Sequence, residues 1–470
     1  MIVLTVSYET EEYDELLAAV QKANKLRRNI LFSLTERVGR TDPLSFYYRG
    51  QAQFSGARFF WQNETGNQII AGLGQAVKID ADKEGSRVKN VRNRWREILD
   101  TAVLSGVSGG EGTGPLLLGG FSFDPKTKPS GLWHRFGAGL FYIPALSLTD
   151  FHGQTYLTIN LACSAGDDPE KLMDRLQEMK KNIPGKLGTI PISRERLIEK
   201  KEKEPDEWKR TVQRAVYRMT ASDLDKIVLA RALELVFDDP INSESVMGRL
   251  REQQKGNFIF SLESSGDCFL GATPERLVRK RGNELFSTCL AGSIIRGKDE
   301  ASDKLLGDEL LKDPKNRLEH QYVVSAIKEA LERLCKSLSV PDEPIVMKNK
   351  HIQHLYTPVQ GTCDPDVSVF DVIDRLHPTP ALGGVPTDKA VIWIRENEKL
   401  ERGLYASPIG WADAFGNGEF AVGIRSALIH GKKATLFAGC GVLQDSIPEK
   451  EYEETAVKFR PMLSAFGVKL

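Results

Sequence analysis

The chain lacks the residue spacings that mark metal and redox proteins. Its six cysteines, Cys163, Cys268, Cys289, Cys335, Cys363 and Cys440, lie far apart with no Cys-x-x-Cys pair, and its seven histidines form neither a His-Glu-x-x-His nor a zinc-finger spacing. Reduced, buried thiols are the expectation. Net charge is missing too: 64 basic residues balance 64 acidic ones, which leaves no electrostatic case for nucleic acid or a membrane surface as partner. Long apolar runs are absent. The opening MIVLTV gives way at once to acids, too short for a signal segment or a membrane span, so a cytoplasmic location is expected. No Gly-x-Gly-x-x-Gly follows a strand, and SGGEGTGP (Ser108–Pro115) lacks the Lys-Ser/Thr and the helix of a phosphate loop. Nicotinamide and flavin cofactors have no support, and that stretch reads as a mobile loop before a buried strand.

What is present suits a large folded body: 470 residues, 41% of them hydrophobic. Strand-like runs begin at Arg58, Gln68, Leu116 and Gln154, with amphipathic helices from Asp14 and Asp168 between groups of strands. Helices placed between strand groups point to an α+β fold rather than a doubly wound parallel sheet. The charged run Arg194–Glu207 is either a domain boundary or an exposed connector across one body; it divides residues 1–200 from a region spanning 205–465. Beyond it Trp208, Val212, Ala215, Val216 and Met219 recur at helical spacing and read as core.

Charged residues stand where burial is expected. In the strand Lys226–Arg231, Lys226 shares a face with Val228 and Ala230. It either reaches solvent from the strand end or is buried, and a buried lysine must be paired or neutral, which is how a lysine becomes a general base. Glu275 follows a strand and a Pro turn, ordinarily a loop position. Glu319 lies on the apolar stripe of Val323, Ile327 and Leu331, and Arg425 interrupts an apolar strand from Phe420, which demands an anionic partner. Near the C-terminus AGCGVLQDSIPEKEYEETAVK runs from a glycine-bearing strand into a helix, with Ser446 and Glu449 spaced as a capping box. At about 100° per residue, Glu451, Glu454 and Lys458 share one face, which suits either an ordinary surface ion pair or a site wall. Carboxylates without histidine or cysteine ligands suit a hard divalent cation, most simply Mg2+, bridging to an anionic substrate.

At these same residues the chain resembles the chorismate-utilising enzymes, a family that includes anthranilate, aminodeoxychorismate, salicylate and isochorismate synthases. DKIVLAR, FLGATPERL, LAGSIIRG, RLEHQYVV, GLYASPIGW, AVGIRSALI and the C-terminal stretch match in order from about Asp206, and GGFSFD through FYIP (Gly119–Pro144) resembles the family's first half. The resemblance implies one large body of two packed, mainly antiparallel β-sheets with helices outside. Ala291 stands where aminodeoxychorismate synthases place a nucleophilic lysine, so water is the implied attacker. Phe59–Asn63 replaces the tryptophan-responsive element of anthranilate synthases. HPTPALGG, with Ala381 and Leu382, is most similar to isochorismate synthases, and RTDPLSFYYRG from Arg40 to the menaquinone-pathway type.

The resemblance thus implies isochorismate synthase chemistry, with Lys226 activating water for C2 of chorismate and Glu275 protonating the departing C4 hydroxyl. Siderophore-pathway isochorismate synthase or salicylate synthase is the alternative. Glu319 and Glu454 are the implied Mg2+ ligands, with Glu451 direct or through water. Tyr405 and Arg425 would bind the pyruvyl carboxylate, Gly439 and Gly441 would let the backbone approach, and Lys458 would add positive charge. Ser293 and His377 would add contacts. Asn316 departs from relatives that carry a second acid there. No glutaminase subunit is expected, and a monomer or weak homodimer is.

Overall fold

The computed structural model describes residues 2–81, 86–107, 110–127, 131–181, 195–221, 223–350 and 352–468. Strands gather into a thirteen-stranded and a ten-stranded sheet. Every pairing among the described strands is antiparallel except Ile30–Val38 with Val103–Gly106. The large sheet mixes both halves of the chain: Phe258–Ser264 pairs with Arg58–Gln62 at its centre, so strands from before and after residue 200 share one ladder.

Alternation along the large sheet's strands sends side chains to two cores. Phe59, Trp61 and Phe269 point toward the small sheet, where they meet Leu118, Phe141, Ile409 and Phe420. Phe60, Leu233, Leu235 and Leu270 point the other way, onto helices represented by Leu16, Phe46, Met247 and Met462. A buried polar knot fastens the halves: Arg58 pairs with Glu244 at 2.6 Å and Glu263 at 2.5 Å, and its guanidinium lies 4.3 Å from the Tyr47 ring centroid.

The charged run is exposed, and it contains regular structure. Arg194 lies outside the described residues, and Leu197–Glu202 forms an edge strand of the large sheet, exposed along its length and paired with Lys226–Phe237. Its charges suit an edge that must resist further pairing. Helix Pro205–Thr220 follows and buries Trp208, Val212, Ala215 and Met219. In SGGEGTGP, Ser108 and Gly109 lie outside the described residues. The remainder is packed rather than loose, with Glu111 and Thr113 buried and the Gly112 N–H donating to Asp413 at 3.2 Å.

The C-terminal capping box does not form. Helix Pro448–Ala465 starts after Ile447, and the Ser446 hydroxyl turns back to accept the Leu443 N–H at 3.0 Å, closing the turn that leaves the strand. Proline in the first helical turn, which lacks one of the donors a cap would satisfy, starts the helix without it.

Candidate active site

The site lies where the chain changes sheets. Pro274 and Glu275 carry it from Asp267–Thr273 in the large sheet to Arg276–Arg281 in the small one; residues 423–425 bring it back from Gly418–Val422 to Ser426–His430. The two crossings are hydrogen-bonded together, Val422 N–H to the Glu275 carbonyl at 3.0 Å and Ala272 N–H to the Arg425 carbonyl at 3.1 Å. Arg425 adopts φ +49, a left-handed conformation costly for a side-chain-bearing residue, which this doubled crossing holds in place. Arg276 turns away to Glu419 at 2.8 Å and to Glu64. Glu275 is left facing the cleft.

Glu275, Ser293, Glu319, Ala381, Tyr405, Arg425, Gly439, Gly441, Glu454 and Lys458 all line that cleft. The Glu275 carboxyl is buried, and burial pushes its pKa up to about 8 against the opposing pull of Lys226, Lys458 and Arg425. At neutral pH it is an acid holding its proton. Arg425 is buried, and among the described residues no carboxylate lies within ion-pairing distance of it; its nearest acceptor is the Lys458 carbonyl at 3.4 Å. Burial draws its pKa down to about 10, yet it stays charged at neutral pH, a cation awaiting an anion. Tyr405 stacks on Phe437 at 5.3 Å, and burial raises its pKa. Its hydroxyl is a neutral donor beside Arg425.

Lys226 is fully buried and stands behind the wall rather than on it. Its Nζ is 2.8 Å from Glu319 Oε1, so the lysine is ion-paired, but no acceptor lies in hydrogen-bonding direction and Nζ is left with an unfilled donor. Burial alone would raise the pKa of Glu319; Lys226, Lys458 and Lys315 together hold it below the ordinary carboxylate value. Gly441 makes this pairing possible: a Cβ there would sit 2.4 Å from Glu319 Oε1 and 2.8 Å from Lys226 Cε. Gly439 plays a similar part, since a Cβ would meet the Leu229 carbonyl at 2.9 Å and the Tyr405 hydroxyl at 3.0 Å. Lys458 donates to the Gly439 carbonyl at 2.9 Å and pairs with Glu454 at 2.6 Å, so the surface-type ion pair read from the sequence does form, but on the cleft wall.

Two other sequence candidates fall elsewhere. Glu451 is buried behind the wall and pairs with Lys315 at 3.1 Å. His377 does not line the cleft: at the end of helix Val369–Leu376 its Nε2 donates to the Phe123 carbonyl at 3.0 Å, and burial, aided by Arg87, lowers its pKa to about 3. It is a neutral packing histidine that ties the helix to the Phe123 turn.

His354 was not foreseen. It lines the cleft from strand Ile352–Cys363, opposite Ser293, with its Nε2 buried and unpartnered. Burial, then Arg425 and Lys458, pushes its pKa well below the usual histidine value. A lone histidine within an otherwise strand-like IQHLYT run was the available signal. Asn316 supports the local backbone, its side-chain carbonyl accepting the Ser293 N–H at 3.0 Å, at a bulge where Gly292 takes φ +77.

Glu319, Glu451 and Glu454 are all-oxygen donors of the kind a hard divalent cation takes, and Gly441 leaves room beside Glu319 that a Cβ would fill. In this arrangement each is drawn to a lysine, and no three acidic, histidine or cysteine side chains among the described residues lie close enough to hold a metal ion. The donors fit such an ion by chemistry, while in this arrangement their partners are ammonium groups.

A protonated carboxyl and an uncompensated arginine in one cleft, with a buried lysine behind its wall, make an arrangement able to bind a small anion and to exchange protons with it. The chain belongs to the chorismate binding enzyme family, which it matches over residues 18–467. It is 41% identical over 461 residues to isochorismate synthase MenF of Bacillus subtilis, covering 96% of this chain and 97% of that protein. It is 33% identical over 466 residues to the salicylate biosynthesis isochorismate synthase of Pseudomonas aeruginosa, covering 96% and 93%. The solved structure of MenF, the menaquinone-specific isochorismate synthase from Escherichia coli, shares the fold with a TM-score of 0.78 at 24% identity, covering 96% of this chain and all of that one. Anthranilate synthase component I from Streptococcus pneumoniae shares it at 0.69 and 19% identity, covering 91% and 99%. The expected α+β body of two mainly antiparallel sheets is therefore the fold observed.

Proposed function

We propose that this chain is an isochorismate synthase, converting chorismate to isochorismate by adding water at C2 and expelling the C4 hydroxyl. The observation that carries this reading is the placement of Glu275, a buried carboxyl with a pKa of about 8, in the same cleft as an arginine lacking a carboxylate partner. Glu275 delivers its proton to the departing C4 hydroxyl, and Lys226, acting as the neutral amine once its ammonium proton has been released, accepts a proton from the attacking water. Arg425 and the Tyr405 hydroxyl receive the pyruvyl carboxylate, with Lys458 adding positive charge and the neutral His354 offering a further polar contact. Ser293 hydrogen-bonds the ring substituents from the bulge, and Ala381 packs on the ring. Ala291 also lines the cleft, and its methyl offers no amine to compete with water.

Glu319 and Glu454, with Glu451 behind them, would hold Mg2+, which when bound supplies a fixed positive charge for the ring carboxylate. Supply of menaquinone synthesis is the pathway reading. Identity to the Bacillus subtilis MenF protein is 41%, against 33% to the Pseudomonas aeruginosa salicylate-biosynthesis protein over the same 96% of this chain, and the match to DhbC of Bacillus subtilis covers 56%. Turnover in 18O-labelled water tests the chemistry: isochorismate should carry one labelled oxygen, at C2. Unlabelled product would mean that the hydroxyl migrates without exchange and would remove the water-adding role of Lys226.

A further inference from the structure

Each carboxylate of the acidic wall has its own lysine. Glu319 is paired with Lys226 at 2.8 Å, Glu454 with Lys458 at 2.6 Å and Glu451 with Lys315 at 3.1 Å. The three ammonium groups are not equally fixed. The Lys226 side chain is 0% exposed and Lys458 16%, whereas Lys315 is 44% exposed, so only Lys315 has open solvent to move into. Its position in the sequence is equally particular. Lys315 lies one turn before Glu319 on helix Pro314–Glu332, so the two side chains share a face, while Glu451 and Glu454 are i, i+3 neighbours on helix Pro448–Ala465. All three carboxylates act on the Lys315 ammonium, Glu451 most strongly, then Glu454 and Glu319.

From this geometry we propose that Lys315 is a built-in placeholder for the metal: its ammonium holds Glu451 at 3.1 Å in the metal-free protein and swings to solvent when Mg2+ binds. The inference rests on the assignment of these carboxylates to Mg2+ above. Without Lys315, Glu451 would be a buried carboxylate with no ion-pair partner, on a wall where Lys226 and Lys458 are already engaged by Glu319 and Glu454, and an unpaired buried charge is costly. Lys315 relieves that cost. The same ammonium then competes with Mg2+, because a divalent ion must displace it before Glu451 is free to turn toward the site. Lys315 is a positioning residue: it sets metal affinity and touches no substrate.

Calorimetric titration of Mg2+ into substrate-free wild type, Lys315→Gln and Lys315→Arg tests this directly. Lys315→Gln should bind Mg2+ tighter, on the order of tenfold, while Lys315→Arg should bind as wild type, the cost displaced being that of a partly exposed ion pair. In chelator, Lys315→Gln should melt below wild type, and saturating Mg2+ should close that gap. A variant-free measurement runs beside it: acetylation of Lys315 by an amine-reactive ester, read by peptide mass spectrometry in wild type, should rise severalfold once Mg2+ saturates. Mg2+ affinity in Lys315→Gln within twofold of wild type, or weaker, overturns the proposal and leaves the metal assignment standing, as does unchanged acetylation in a protein that binds Mg2+. Absence of Mg2+ binding in all three proteins overturns both.

Discussion

Gly441→Ala tests how tightly the site is drawn together. Residue 441 does not adopt positive φ, so alanine is conformationally admissible and the cost is steric. The new Cβ would stand 2.4 Å from Glu319 Oε1 and 2.8 Å from Lys226 Cε, whereas ordinary contact begins near 3.4 Å, so Glu319 must retreat by 3.4 − 2.4 = 1.0 Å. Lys226 is enclosed on every side and cannot follow freely. Overpacking of this kind costs about 1–3 kcal/mol, a tolerable loss for the fold. Misplacing catalytic groups by about 1 Å costs about 10²-fold in rate. The expected outcome is a folded protein whose kcat/KM for isochorismate formation falls about a hundredfold, measured by product chromatography beside thermal unfolding. A folded Gly441→Ala protein with kcat/KM within threefold of wild type would refute the claim that Lys226 and Glu319 meet at the working end of the cleft.

Glu275→Gln should retain its fold and lose about 10²- to 10⁴-fold in kcat, since it removes the proton donor. In wild type the working form of Glu275 is the protonated one, so kcat should fall as pH rises through about 8; a rate flat to pH 9.5 would contradict the assignment. Arg58→Ala strands Glu244 and Glu263 as buried, uncompensated carboxylates, and denaturant titration should register a loss of about 3–5 kcal/mol. His377→Ala should lower the melting temperature while leaving KM within about twofold, because its ring binds the Phe123 carbonyl and not the cleft; a large rise in KM would place it back in the site.

Residues that break a pattern were the legible ones. Glu319 on an apolar helical stripe and Arg425 within an apolar strand both advertise an unusual environment, and both face the cleft. For Lys226 the strand pattern leaves burial and solvent equally open, and its pairing with Glu319 spans nearly a hundred residues and two elements, which no local period encodes. Glu275 was harder, because its inward direction follows from a crossing between sheets rather than from an alternation of side chains. Ser446 and His377 misled for one reason: short-range spacing suggested a role, and a tertiary contact, to Leu443 and to Phe123, took the side chain instead. The charged run at 197–202 reads as solvent-facing and is so, yet its backbone pairs with Lys226–Phe237 on one side while its charges guard the open edge, a pairing that no local period reveals.

Product analysis from chorismate, with and without Mg2+, tests the central claim most directly. The account expects isochorismate as the product, formed only when Mg2+ is present. Salicylate, anthranilate or free pyruvate in its place, or turnover undiminished after all divalent metal is removed, would contradict it.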